Sequence, residues 1–277
     1  MQTIQQPIIF IGGGNMARAI ITGAINAQTL DPERVAVIDP NPDCHQHYKN
    51  PFADAQQCFS WLRTQNTDQA TIVLAVKPQM LEAAVAPICS EIASLKFEPS
   101  FISILAGTTI HQLEQATNEA TCVIRVMPNT PAQVGLGMSA IAPSLRSTSA
   151  DIDLARELFS SIGKVIEIKE DLMNAFTALA GSGPAYIFYL AQAMQQAATK
   201  LGFDQAQAST IVAQTILGSA TLMNQSDASP EALRAMVTSK GGTTHAATSS
   251  MDNQGVMQAI VQAIHAAKER GEELGKV

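Results

Sequence analysis

The run PIIFIGGGNMARAI, residues 7–20, constrains the fold of this 277-residue chain more than any other stretch. Its first half is a short Ile-rich apolar run, the pattern of a strand buried on both faces. Three glycines follow, and then residues with helical spacing. Gly12, Gly14 and Ala17 stand in a G-x-G-x-x-A pattern at that strand–helix junction. Gly12 permits the tight turn, Gly14 lets the backbone approach a pyrophosphate, and Ala17 lets helix and strand pack closely. The helix N-terminus then faces the anion. Gly13, Asn15 and Met16 complete a loop suited to a dinucleotide.

The alternation continues downstream. RVAVID, ATIVLAVK, FISILAG, CVIRVM, GMSAIAP and KVIEIK read as strands. Helical stretches fall among them, from ADAQQCFSWL and PQMLEAAVAPICSEIASL through TIHQLEQAT to SADIDLARELFSSIG. This spacing predicts an α/β fold with a doubly wound parallel sheet. From Glu170 onward only helical periodicity remains. The boundary is expected near Ile168, giving domains 1–168 and 169–277. Asp204 and Ser229 are expected N-caps, with Pro230 in the first turn after Ser229.

The formal charge of −7 argues against nucleic acid or an anionic membrane as partner, because both select basic surfaces. No stretch reaches transmembrane length, and the N-terminus lacks the pattern of a secretion signal. Cys44, Cys58, Cys89 and Cys122 show no paired spacing, so reduced thiols and a cytoplasmic location are expected. Only 15% of residues are charged. Together with abundant Ala and Met, this suggests helix surface buried against another subunit. No metal site is expected; Cys44, His45 and His47 lack a second cluster of ligands.

Asp39 ends the second strand. An acid there accepts hydrogen bonds from the adenosine ribose hydroxyls and disfavours a 2′-phosphate, which favours NAD. His45, His47 and Lys49 follow, and their positive charge favours NADP. The sequence leaves NAD(H) against NADP(H) open.

Five segments in order, GGGNMA, LAVKPQ, RVMPNTPAQVGLG, ALAGSGPAYIFYLAQAM and VTSKGGTTHAA, go beyond fold. Together they resemble the pyrroline-5-carboxylate reductase family over essentially the whole chain. The resemblance implies an N-terminal Rossmann domain and a C-terminal all-helical dimerisation domain. It implies reduction of the C=N bond of 1-pyrroline-5-carboxylate by NAD(P)H to L-proline, the last step of proline biosynthesis. In the family two subunits build each substrate site, so a homodimer or higher homo-oligomer is expected. Ala75, Val76, Lys77 and Pro78 are then expected to line the cofactor, with Ala106 and Gly107 approaching the nicotinamide. Asn129 anchors the MPNTP loop over the same crevice. Ser182, Gly183 and Glu170 are expected beside substrate; for Glu170, an acid in a helix first turn serves almost as well.

The hydroxyl-rich stretch VTSKGGTTHAATSS, residues 237–250, carries the chemistry that the resemblance implies. A substrate carboxylate can be held by backbone N–H groups at a turn and helix start. Gly241 and Gly242 free the chain to expose such donors, and Thr243 and Thr244 can cap the helix that follows. By resemblance, Gly242, Thr243 and Thr244 supply amides to the carboxylate and Ser239 adds a hydroxyl. Thr244 lies near the ring nitrogen as the catalytic residue. An imine can arrive protonated, so orientation by a hydroxyl or water suffices. Lys240 stands where the family usually has proline or a neutral residue. Its ammonium can face the carboxylate or solvent.

The rival readings are a β-hydroxyacid dehydrogenase type and a non-catalytic dinucleotide sensor. The first uses a lysine on the opening long helix of the second domain. Here PAYIFYLAQAMQQAATK has none before Lys200, at its far end. The intact glycine–hydroxyl turn argues against the second.

Overall fold

The computed structural model describes residues 3–117 and 122–275. The ends of the expected domains, Met1 and Val277, lie outside them. In chain order the first half contains β1 (Ile8–Ile11), α1 (Asn15–Asn26), β2 (Val35–Ile38), α2 (Pro42–His45), β3 (Asn50–Phe52) and α3 (Ala55–Thr64). Next come β4 (Thr71–Leu74), α4 (Leu81–Ile92), β5 (Ser100–Ser103), α5 (Ile110–Ala116), β6 (Val123–Met127), β7 (Gly137–Pro143), α6 (Ser149–Ser160) and β8 (Gly163–Glu167).

The strands form one sheet in the order β3-β2-β1-β4-β5-β6-β7-β8. Period-2 alternation assigns each strand residue to one of two cores. Ile8, Phe10, Val35, Val37, Val73 and Ile102 face α1 and α6, where Ile20, Leu158 and Phe159 are fully buried. Ile9, Ile11, Ala36, Ile72, Leu74 and Phe101 face α3, α4 and α5, against Phe59, Val85 and Leu113. Helices cover both faces, so the strands need no polar side. The order reverses at β1, which lies between β2 and β4, and such a switch opens a crevice beyond the strands' carboxyl ends.

Three local readings need correction. The sheet is not wholly parallel, because β7 runs antiparallel to β6. Only a 3-10 turn, Thr130–Val134, closed by left-handed Gly135, joins them. That is too little chain for a crossover to a parallel neighbour. Second, the stretch PNPDCHQHYK, which falls within none of the expected strands or helices, contains α2 and leads into β3. Pro51 is tolerated in β3 because this strand lies at the sheet's edge. Third, the helix expected from Pro78 starts at Leu81, after a 3-10 turn over Pro78–Met80.

After β8 the helical stretch breaks into a 3-10 turn (Glu170–Leu172), α7 (Met173–Phe176) and a π-turn (Thr177–Gly181). The Ser182 N–H closes the wide turn on Thr177 O at 2.8 Å. Met173 and Phe176 are buried with Ile110, Ala140 and Ala142 in a third apolar cluster. The remaining helices are α8 (Gly183–Lys200), α9 (Gln205–Gln225), α10 (Pro230–Met236), α11 (Thr243–Asn253) and α12 (Val256–Leu274). Both expected caps are present. Asp204 forms a reciprocal capping box with Gln207, and Ser229 accepts the Ala232 N–H with Pro230 opening α10.

The described residues divide into two compact units. One contains everything up to Ser182 together with Lys268 onward, and the other is Gly183–Ala267. The second unit buries little of its own apolar surface. Ala198, Ala208 and Val212 are its only buried hydrophobic residues among those described, whereas Phe188 and Tyr189 on α8 are 66% and 77% exposed.

Candidate functional site

The crevice is built where β1 and β4 end side by side. Gly12 has φ +100°, a conformation that side chains rarely tolerate, and a Cβ there would lie 2.7 Å from Ala75 O. The close approach of the two strand ends therefore depends on glycine at position 12. The Gly12 N–H donates to Ile38 O at 2.8 Å, and the Ala75 N–H donates to Ile11 O at 2.8 Å. Together these bonds register β1, β2 and β4 at the crevice. Gly14 is the N-cap of α1, and no side chain caps that helix. A Cβ on Gly14 would meet nothing within 4 Å, so the backbone here borders open space. Uncapped first-turn amides beside that space suit a pyrophosphate. Asn15 is exposed, Met16 is half-buried and Ala17 is buried against the sheet.

Asp39 stands at the end of β2 with both carboxylate oxygens engaged. Oδ2 accepts the Gly13 N–H at 2.7 Å and Oδ1 accepts the Asn41 N–H at 2.9 Å. Gly13 is hemmed in as well: a Cβ would lie 3.0 Å from Tyr48, 3.2 Å from Val37 and 3.3 Å from Cys44. The Tyr48 hydroxyl donates to Gly13 O at 2.8 Å. Burial pushes that phenol up to about 12, with the nearby Cys44 adding to the rise. The loop after β2 thus holds the glycine loop from two sides. Sequence reasoning did not single out Tyr48. The available signal was an aromatic residue in an otherwise polar loop. Arg18, four residues after Gly14, was also missed; its Nη1 lies 3.4 Å from His47 Nε2.

Ala75 and Val76 are half-buried just past β4, and Lys77 and Pro78 are exposed. Ala106 and Gly107 follow β5, the neighbour of β4, and Gly107 has φ +75°. Its hypothetical Cβ would come 3.5 Å from Leu274 Cβ. Asn129 is buried, and both its amide oxygen and its amide nitrogen are engaged. Nδ2 donates to Ala180 O at 2.9 Å, and Oδ1 accepts the Met138 N–H at 2.9 Å. It ties the loop after β6 to β7 and the π-turn. Glu170 Oε1 accepts the Ile110 N–H at 2.6 Å and lies 3.1 Å from Arg125 Nη1. Burial lowers the Arg125 guanidinium from its ordinary range, and the Glu170 carboxylate opposes that shift.

In the helical unit, Gly241 has φ +75° and Gly242 is the N-cap of α11. The Gly242 N–H donates to Ser239 O at 3.0 Å, closing a tight turn. A Cβ on Gly242 would overlap Ser239 Oγ at 2.4 Å. No side chain caps α11, so Thr243 and Thr244 do not serve as the caps expected from sequence; they form its first turn. Thr243, Ser239 and Lys240 are exposed, and Thr244 is half-buried. Gly183 opens α8, directly after Ser182.

A switch-point crevice with a glycine loop, followed by a helical unit with a bare apolar face, defines a self-associating dinucleotide-dependent oxidoreductase. Residues 7–107 match the family model for NADP oxidoreductase, coenzyme F420-dependent, and residues 170–274 match that for pyrroline-5-carboxylate reductase dimerisation. The chain is 39% identical to pyrroline-5-carboxylate reductase of Methanosarcina acetivorans, covering 98% of each chain. It is 33% identical to that of Escherichia coli, covering 99% of this chain and 100% of the other. A solved pyrroline-5-carboxylate reductase from Coxiella burnetii superposes with a TM-score of 0.87 at 32% identity, covering 99% and 100% of the two chains. One from Plasmodium falciparum with NADP bound gives 0.85 at 28%, with the same coverage. The chain belongs to the pyrroline-5-carboxylate reductase family.

Proposed function

We propose that this protein reduces the C=N bond of 1-pyrroline-5-carboxylate to L-proline. The observation that carries this reading is 39% identity to a reductase of that name along nearly the whole of both chains. The glycine loop and the Gly241–Thr244 turn are both intact within that span.

The reduced nicotinamide supplies a hydride to the imine carbon, and a proton from solvent or a bound water completes the amine. The first-turn amides of α1 would hold the pyrophosphate, and Gly14 leaves room for it. Ala75–Pro78 and Ala106–Gly107 line the same side of the sheet, past the ends of β4 and β5. In the helical unit, left-handed Gly241 turns the chain so that α11 starts without a side-chain cap. The amides of Thr243 and Thr244, at the uncapped start of α11, would grip the substrate carboxylate, with Ser239, Ser182 and Gly183 assisting; the Gly242 N–H is instead spent on Ser239 O, closing the turn that presents them. The Thr244 hydroxyl orients the ring nitrogen. Rate acceleration then comes chiefly from holding the reacting atoms in place. We assign Glu170 and Asn129 to the framework, since Glu170 Oε1 is held by the Ile110 N–H and Arg125, and the Asn129 oxygen and nitrogen both bond neighbouring backbone.

We take the active form to be a homodimer or a larger assembly of it, acting in the cytoplasm. The exposed apolar face of α8 and the match to a dimerisation model support self-association. No helix among the described residues is long and apolar enough to cross a membrane. The test is oxidation of NADH and NADPH followed at 340 nm with the cyclic imine as substrate. Product confirmed as proline is the expected result; no oxidation of either cofactor would overturn the reading.

A further inference from the structure

The sequence sets Asp39 against a basic loop and leaves the choice between NADH and NADPH open. The structure separates those charges. The Lys49 ammonium is paired with Glu33, away from Asp39. His45 Nε2 lies 2.7 Å from Asp39 O; a carbonyl only accepts, so this nitrogen donates and the ring is committed to the backbone. His47 faces Arg18, its Nε2 3.4 Å from the guanidinium Nη1. Lys49 is thus paired with an acid and His45 with the backbone, whereas the Arg18 guanidinium takes part in no ion pair among the described residues.

Asp39 itself is held by neutral donors: the amides of Gly13 and Asn41, with the Cys44 thiol beside it. None of the ion pairs among the described residues includes it. The carboxylate is therefore fixed in place with its charge unneutralised. A carboxylate offers about four acceptor sites, so capacity remains to accept from a ribose hydroxyl. Asp43, on the same loop, adds a second negative charge and offers a phosphate no relief. Both Asp39 and Arg18 act on the Cys44 thiol and the Tyr48 phenol, in opposite directions, so the two charges share one neighbourhood.

We propose that Asp39 makes this chain prefer NADH, and that Arg18 is the group through which a 2′-phosphate is accepted once the Asp39 charge is removed. A ribose diol donates to the anchored carboxylate, whereas a 2′-phosphate dianion meets a like charge and loses those bonds. The preference rests on the dinucleotide reading of the preceding section and deepens it. Losing hydrogen bonds to a charged group corresponds to at least about tenfold in affinity.

The experiment is direct titration of the protein with NADH and with NADPH, read by nicotinamide fluorescence or calorimetry without substrate. The wild-type chain is expected to bind NADH at least about tenfold tighter. Asp39→Asn keeps an oxygen for the Gly13 N–H while removing the charge, and it should bring the two affinities together or reverse them. Asp39→Ser serves as the second variant should the amide side chain turn its nitrogen toward Gly13. Adding Arg18→Ala to either variant should remove the gain for NADPH and leave NADH unchanged. Equal or tighter NADPH binding by the wild type overturns this inference alone and leaves imine reduction standing. An unchanged ratio in both Asp39 variants does the same. Binding of neither dinucleotide overturns the underlying function as well.

Discussion

Arg125 lies buried in β6 with its Nη1 3.1 Å from Glu170 Oε1, and the same oxygen accepts the Ile110 N–H at 2.6 Å. One carboxylate thus joins a central strand, the start of α5 and the turn that follows β8. Arg125 has only 5% of its side chain exposed, whereas Glu170 has 35%. Removing the acid would strand a buried guanidinium, a change that costs about 3–5 kcal/mol for fully buried pairs. The partial exposure of Glu170 reduces that to about 2–3 kcal/mol. Glu170→Ala should therefore lower the melting temperature by roughly 5–10 °C. Glu170→Gln, which keeps an acceptor for the Ile110 N–H, should lose less. Equal melting temperatures for wild type and Glu170→Ala would show that the pair contributes nothing.

The two outer glycines of the loop should fail in different ways. Gly12→Ala combines a positive φ with a contact of 2.7 Å to Ala75 O, neither of which a small shift relieves. Strain and overpacking together cost about 3 kcal/mol or more, visible as lost stability and lost dinucleotide binding. Gly14 has φ −71° and ψ −176°, which alanine adopts freely, and its Cβ would touch nothing. Gly14→Ala should unfold within about 1 kcal/mol of wild type, the difference between Gly and Ala at an N-cap. Its dinucleotide affinity should nevertheless fall about tenfold, because the methyl occupies the pyrophosphate's approach. Thermal melts beside fluorescence titrations separate the two; intact affinity in Gly14→Ala would move the pyrophosphate elsewhere.

Much of this was legible in the residues, for physical reasons that differ by element. β1, β2, β4 and β5 are buried on both faces, so unbroken apolar runs announce them. The glycine loop announces itself because Gly12 and Gly14 have distinct backbone duties. β3 was not legible: three residues containing Pro51 carry no period, and pairing with β2 alone makes them a strand. The direction of β7 was hidden as well, since composition does not say whether it runs with or against β6, and only the shortness of the preceding turn decides it. At the site, Asp39 could be read from its position at the end of β2. Its anchoring by the Gly13 and Asn41 amides, and the roles of Tyr48 and Arg18, depend on how one loop folds over another. Spacing along the chain does not encode such contacts.

Assembly should respond to the surface of α8. Phe188 and Tyr189 are exposed, in a unit whose own buried residues are Ala198, Ala208 and Val212. A helical unit with so small a core is stabilised mainly by what covers it. A charge placed at Phe188 leaves a single chain unperturbed and must be desolvated in an assembly. Phe188→Glu is expected to shift the protein toward monomer in sedimentation velocity and to abolish turnover with it. A variant that sediments like wild type would place the subunit contact on another face.

Stability should fall at alkaline pH. Burial pushes the Cys122 thiol up to about 11 and the Tyr48 phenol up to about 12. In the unfolded chain these groups titrate at their ordinary, lower values, so the unfolded state releases protons first as pH rises. Their contribution is complete below about pH 9 and is lost as pH climbs through the folded values. Denaturant midpoints should therefore hold level from pH 7 to about 9 and decline above it. Cys122→Ser and Tyr48→Phe should each flatten that decline. A midpoint that stays level to pH 11 in the wild type would contradict both shifts.

The catalytic assignment is sharpest at Thr244. It lies in the first turn of α11, two residues past the Gly242 cap, and is half-buried where Thr243 is exposed. Its backbone contribution to the carboxylate survives substitution, so alanine removes only the hydroxyl. If that hydroxyl orients the ring nitrogen, Thr244→Ala should lower kcat about tenfold or more, the range for one well-placed hydrogen bond lost in the transition state. KM for the imine should change less, because the amides of residues 243 and 244 still hold the acid. Dinucleotide affinity should be unchanged. Thr244→Ser, which restores the hydroxyl without the methyl, should recover most of the rate. Loss in both variants would instead point to packing of the α11 start, and wild-type rates in both would remove the hydroxyl from the reaction.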